Sequence, residues 1–129
     1  MKTIFGLFLL FALNACSFEQ NYYVKKVDYV NISSVSMPDT VLVSEKVEIN
    51  AQAEANNGCW SNLYFVLSKY DNFNYNLEAF GTFQSQGFCA EMMVYKDSVI
   101  EFKPTAQGIY YFHITQVPLK VNIDTLIVK

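Results

Sequence analysis

From Val47 to Ala55 the chain alternates without a fault. Val47, Ile49, Ala51, Ala53 and Ala55 fall on one side; Glu48, Asn50, Gln52 and Glu54 fall on the other. Successive side chains of a strand point to opposite faces, so a period of two predicts a strand with one buried and one wetted face. The inward alanines leave room for large side chains opposite. Asn56-Asn57-Gly58 then signals a turn. Leu63 to Leu67 is apolar without alternation, which predicts a central strand covered on both faces. Two further runs follow, Leu77 to Gln84 and Phe88 to Tyr95, punctuated by Gly81 and Gly87. Lys96-Asp97-Ser98 reads as a turn before Val99 to Phe102. Pro104 has no N–H to donate and stops pairing there. Gly108 precedes a strong strand over Ile109 to Thr115, Val117-Pro118 marks a break, and Val121 to Val128 closes the domain. Upstream, Val27 to Val35 and Val41 to Val43 flank Met37-Pro38-Asp39, suggesting one interrupted strand that switches sheets. Short β-type runs between turn signals, without a helical period, predict an all-β sandwich of seven to nine strands.

The first residues follow a different rule. A charged start at Lys2, an apolar core from Ile4 to Leu13 and a small residue at Ala15 lead to Cys16. The apolar run is about half of the roughly 20 residues that a membrane-spanning helix needs. Leu13-Asn14-Ala15-Cys16 resembles a bacterial lipoprotein signal. That resemblance implies removal of residues 1–15 and a diacylglycerol thioether on Cys16, usually with a further acyl chain of the palmitate type on its amine. Two or three long chains anchor a protein permanently, because each buried methylene contributes about 0.8 kcal/mol. Membrane lipid is then the first partner, held through Cys16. Residues 16–26 are polar without a clear apolar period and read as a tether, which leaves 27–129 for the sandwich. Surface export of such lipoproteins resembles an acidic cluster just after the cysteine. Ser17-Phe18-Glu19-Gln20 has a single acid, so the side of the outer membrane on which the domain sits stays open.

Nine lysines and twelve acids give a net charge of −3, and the chain has no arginine. Arginine is the usual reader of phosphates and bases, so nucleic acid is not an expected partner. Acylation of Cys16 would leave Cys59 and Cys89 as an even pair in an oxidising compartment. A bridge between them closes a loop of about 31 residues, worth roughly 3.7 kcal/mol by chain entropy. The alternative is two separate buried thiols, since cysteine packs as a small hydrophobe.

Lys103 to Tyr110, with its Pro104, Gly108 and Tyr110, resembles the corner before the penultimate strand of immunoglobulin-like sandwiches. The resemblance implies that the Tyr110 hydroxyl bonds back to the main chain, the tyrosine corner. Cys59 departs from the pattern by adjoining Trp60 in one strand, so the bridge is not the usual one between sheets. With the Leu13-to-Cys16 signal, Gly58-Cys59-Trp60 and the terminal Asp124 to Val128, the chain resembles small β-sandwich lipoproteins of Bacteroidota-type bacteria. This implies an immunoglobulin-like β-sandwich and an outer-membrane address, without a mechanism.

Candidate chemistry is sparse. The chain has a single histidine, His113, placed by alternation on a face with Ile109, Tyr111 and Thr115. It resembles a packing or surface residue rather than a catalytic base, and no nucleophile elbow, HExxH or phosphate loop accompanies it. Cys89, Met92 and Met93 fall short of a blue-copper set for want of a second histidine, and a zinc site meets the same shortage. Calcium at Asp71 or Asp97 has no supporting spacing. No metal, cofactor or catalytic residue is therefore expected. Tyr70 to Asn76 interleaves Tyr70, Phe73 and Tyr75 with Asn and Asp, which suggests a long recognition loop; the alternative is that these rings cap the end of the sandwich. Asp39-Thr40-Val41, Asp97-Ser98-Val99 and Asp124-Thr125-Leu126 each resemble an Asp-(Ser/Thr)-aliphatic O-glycosylation acceptor, making Thr40, Ser98 and Thr125 candidate sites. The rival reading is that such a pair simply begins a strand. The function expected is a non-catalytic, membrane-anchored module that binds a protein or glycan partner through loops at one end. The alternatives are a structural component of an envelope complex using a sheet surface, and a hydrolase with an unrecognised carboxylate site.

Overall fold

The computed structural model describes residues 22–129; the signal expected over residues 1–15 and the acylation expected at Cys16 lie outside them. Nine strands form two packed sheets, an immunoglobulin-like β-sandwich. They are β1 (Val24–Tyr29), β2 (Asn31–Ser36), β3 (Thr40–Val41), β4 (Val47–Ala55), β5 (Trp60–Lys69), β6 (Asn74–Ser85), β7 (Val94–Phe102), β8 (Gly108–Gln116) and β9 (Lys120–Val128). The smaller sheet runs β2-β4-β7; the larger one runs β1-β6-β8-β9-β3, with β5 paired to β6.

The core is what the β4 alternation requires. Val47, Ile49, Ala51, Ala53 and Ala55 are all buried. They share one cluster with Leu77, Phe102, Tyr110, Phe112 and Leu126. Burying a large apolar side chain contributes about 1.5–3 kcal/mol, so this inner layer holds the sheets together. Tyr75, Phe102, Tyr110 and Phe112 pack as one aromatic group, with ring centroids of neighbours 4.8–6.2 Å apart.

β6 organises the larger sheet. One edge of this strand takes β5. Its other edge is shared: Asn74–Leu77 pairs in parallel with β8, while Phe80–Ser85 pairs antiparallel with β1. The sheet therefore forks beyond Leu77, where β1 replaces β8 at its side.

Several expectations need correction. The first strand starts at Val24, three residues before the Val27 run, because Val24 already pairs with Ser85 while Lys25 and Lys26 stand in solvent. The segment Val27–Val35 is two strands, not one. Its sheet switch falls at Val30, whose N–H still bonds to Ala79 O at 2.9 Å while the chain passes to the smaller sheet. A second crossing, at Met37-Pro38-Asp39, returns β3 to the larger sheet beside β9. Leu63–Leu67 lies within an edge strand, not a central one: Leu63 is buried but Tyr64 and Val66 face solvent. A bulge between Ser61 and Tyr64, with Asn62 at φ 50°, keeps Trp60 and Leu63 turned inward. The run Phe88–Tyr95 is mostly connection, since β7 starts only at Val94, and Lys96-Asp97-Ser98 lies within β7 rather than in a turn.

Candidate functional site

Cys59 and Cys89 are joined, with their Cα atoms 5.2 Å apart. The bridge links the β4–β5 turn to the β6–β7 connection, two of the places where the chain crosses between sheets at this end. The Gly58 N–H donates to Ala90 O at 2.8 Å, and a Cβ on Gly58 would sit 3.1 Å from the Ala90 Cβ. Crowding by the Ala90 and Met92 side chains favours a glycine here.

At the opposite end, the Tyr110 hydroxyl donates to Ala106 O at 2.9 Å and accepts from the Ala106 N–H at 3.2 Å. This is the tyrosine corner, on the penultimate strand. The Tyr70–Asn76 segment is shorter as a loop than its composition suggests, because β6 begins at Asn74. Asp71 closes it, accepting from the Phe73 and Asn74 N–H groups at 2.9 and 2.8 Å. The Asn74 side chain and then the Phe73 amide hold the Asp71 carboxyl below its ordinary value. Phe73 packs edge-on against Tyr110 at 5.2 Å, and Tyr75 joins the aromatic core, where burial pushes its phenol up. Tyr70 alone of the three stays exposed. The three rings thus do not form one recognition face; Phe73 and Tyr75 cap and fill the sandwich.

His113 Nε2 lies 3.0 Å from Asn74 Oδ1, an amide rather than a nucleophile or a carboxylate. Among the described residues no group of three or more His, Cys, Asp or Glu side chains is placed to hold a metal ion. Thr40 and Thr125 are exposed, whereas Ser98 is half-buried opposite Ala51.

What sequence reasoning missed is the outer face of the larger sheet. In the β8–β9 ladder Ile109 stands opposite Ile127, Tyr111 opposite Thr125, His113 opposite Ile123 and Thr115 opposite Val121. Their strand neighbours Tyr110, Phe112, Ile114 and Leu126 are the buried ones, so this second set points outward. Ile109, Tyr111, Val121, Ile123 and Ile127 all remain exposed, Ile123 by 57%. Further along the same face, Tyr29, Phe80 and Tyr64 pair directly across β1, β6 and β5, their rings 4.6 and 5.7 Å apart. An open cavity of about 430 Å³ sits where the sheet forks, lined by Tyr29, Trp60, Val117, Leu119 and Val121 among others. The available signal was apolarity on both faces of β5, β8 and β9.

Exposed apolar residues scattered singly are ordinary, but contiguous ones mark contact surfaces. The fold and this face together suit a non-catalytic, protein-binding β-sandwich domain. Comparison of the chain with protein-family models, with curated proteins and with solved structures finds no match.

Proposed function

We propose that this protein is a lipid-anchored envelope module, attached through Cys16 to the outer membrane, which docks a protein partner on the outer face of its larger sheet. The observation that carries the docking is the row of Ile109, Tyr111, Val121, Ile123 and Ile127, which folding does not require to be apolar and which stands in solvent. The lipoprotein-like Leu13-to-Cys16 motif supports the anchor. A sheet surface is favoured over end loops because Phe73 and Tyr75, two of the three rings offered for loop recognition, are used internally. Thr40 and Thr125, at the border and within this face, remain available as hydroxyl acceptors for modification.

The test is the full chain carrying Ile109→Asp and Ile123→Asp together. The wild-type protein, extracted in mild detergent from its native membrane, is expected to migrate with a partner. The variant is expected to migrate alone with an unchanged melting temperature. Identical migration of the two would refute the docking face, and an intact mass without acyl chains would refute the anchor.

A further inference from the structure

Strand directions sort the loops into two ends. Val24 of β1 lies beside Ser85 of β6, and β8 runs parallel to β6. The N-terminal Tyr22 and Tyr23, the β6–β7 connection and the β8–β9 tip therefore gather at one end, with the Cys59–Cys89 bridge. The loop holding Tyr70 and the tyrosine corner lie at the other.

The two ends differ in chemistry. The first presents Leu119 fully exposed, Phe88 85% exposed and Tyr22 73% exposed, with Met92, Met93 and Val117 also open. The backbone that carries two of them is tied locally: the Phe88 carbonyl lies 3.4 Å from Cys59 Sγ, and Met92 N–H bonds to Ala90 O at 2.9 Å. Glu91 is the one carboxylate of residues 86–93, and Lys25 and Lys120 lie at this same end.

Distance selects the occupant. The chain from Cys16 to Tyr22 spans at most about 20 Å when fully extended. β6, twelve residues long, runs about 40 Å from this end to the far one. Resting on the acylation of Cys16 proposed above, we infer that the end bearing Leu119, Phe88 and Tyr22 sits in the bilayer interface, a second contact with lipid beside the acyl chains. Tyrosine favours the headgroup level, and exposed Leu, Phe and Met enter the adjoining acyl boundary. The domain then stands with its long axis away from the membrane, and its outer sheet face is left free along the side.

The experiment uses the full-length processed protein in vesicles of phosphatidylethanolamine and phosphatidylglycerol. A photo-activated benzophenone amino acid replaces Leu119 or Phe88, with Tyr70 and Ile109 as comparison positions; all four are exposed, so folding is retained. Lipid adducts at positions 119 and 88 are expected about tenfold above those at 70 and 109. Adducts at 119 and 88 no higher than at 70, or highest at 109, would overturn the orientation. Intact mass of the same sample separates the two readings. An acylated chain without lipid adducts at 119 and 88 overturns this inference alone, whereas an unacylated chain overturns the anchor and this inference with it.

Discussion

The outer faces of the two sheets are built to opposite rules. On the smaller sheet, Glu48, Asn50, Gln52 and Glu54 of β4 meet Glu101, Val99, Asp97 and Tyr95 of β7 across the ladder. Their polar groups satisfy one another: Gln52 Nε2 donates to Asp97 Oδ1 at 2.9 Å, Ser33 Oγ donates to Gln52 Oε1 at 3.0 Å, and Asn31 Nδ2 donates to Glu54 Oε1 at 2.8 Å. Even the like-charged pair of Glu48 and Glu101 is relieved, by Lys46 Nζ at 2.6 Å from Glu101 Oε1, and Glu101 in turn raises the Lys46 pKa. On the larger sheet the equivalent positions of β8 and β9 hold Ile109, Tyr111, Val121, Ile123 and Ile127 beside only three polar residues, His113, Thr115 and Thr125. Folding demands one apolar face per sheet, and the smaller sheet stops there. The larger sheet carries a second, and it is this face that the proposed partner would cover.

If that distinction is right, inner and outer apolar residues of the same strands respond differently to truncation. Phe112→Ala, which empties an enclosed site, is expected to destabilise the domain by about 3–5 kcal/mol. Ile123→Ala, on the facing strand but outward, is expected to stay within about 0.5 kcal/mol of wild type. Urea unfolding of both measures the contrast, and similar losses would break it. Removing the bridge with Cys59→Ser and Cys89→Ser together is expected to cost about 2–4 kcal/mol, because the unfolded chain regains freedom. It should leave partner docking intact, since the bridge lies at one end and not on the face. Tyr110→Phe is expected to cost about 1–2 kcal/mol in the same unfolding assay, as both backbone groups of Ala106 lose their partner.

The smallest effect is a titration. Asp71 has a lowered carboxyl pKa, so its contribution is present above the unfolded value of about 3.9 and is lost as pH falls through the lower folded value. Amide resonances of Phe73 and Asn74 are expected to shift with a midpoint below that of an ordinary aspartate. A midpoint at or above that of an ordinary aspartate would contradict the hydrogen-bonded turn that Asp71 closes.

The same comparison explains how much the sequence disclosed. β4 was readable residue by residue because its outer face is polar. Tyr110 was readable because the corner is a local device, built from a hydrogen bond to a residue four positions upstream. β5 was misjudged as central because Tyr64 and Val66 make its outer face apolar too, and a one-dimensional pattern cannot tell a covered face from an uncovered one. Phe88, Met92 and Met93 gave the β6–β7 connection the composition of a strand while the bridge to Cys59 holds it as a loop. Asp97-Ser98 looked like a turn, yet Asp97 is a cross-strand partner of Gln52 on a solvated face. Tyr70, Phe73 and Tyr75 group together through the Asn and Asp interleaved with them, and that composition does not reveal that β6 starts at Asn74 and turns Tyr75 inward.

Hydroxyl-radical footprinting, read by mass spectrometry, tests the uncovered face most directly. It compares the protein in its native membrane with the purified full chain in lipid vesicles. Ile109, Tyr111 and Ile123 are expected to be protected in the native membrane and labelled in vesicles, while Tyr95 and Val99 on the smaller sheet are labelled equally in both. Equal labelling of Ile109, Tyr111 and Ile123 in the two settings would contradict a partner on the larger sheet.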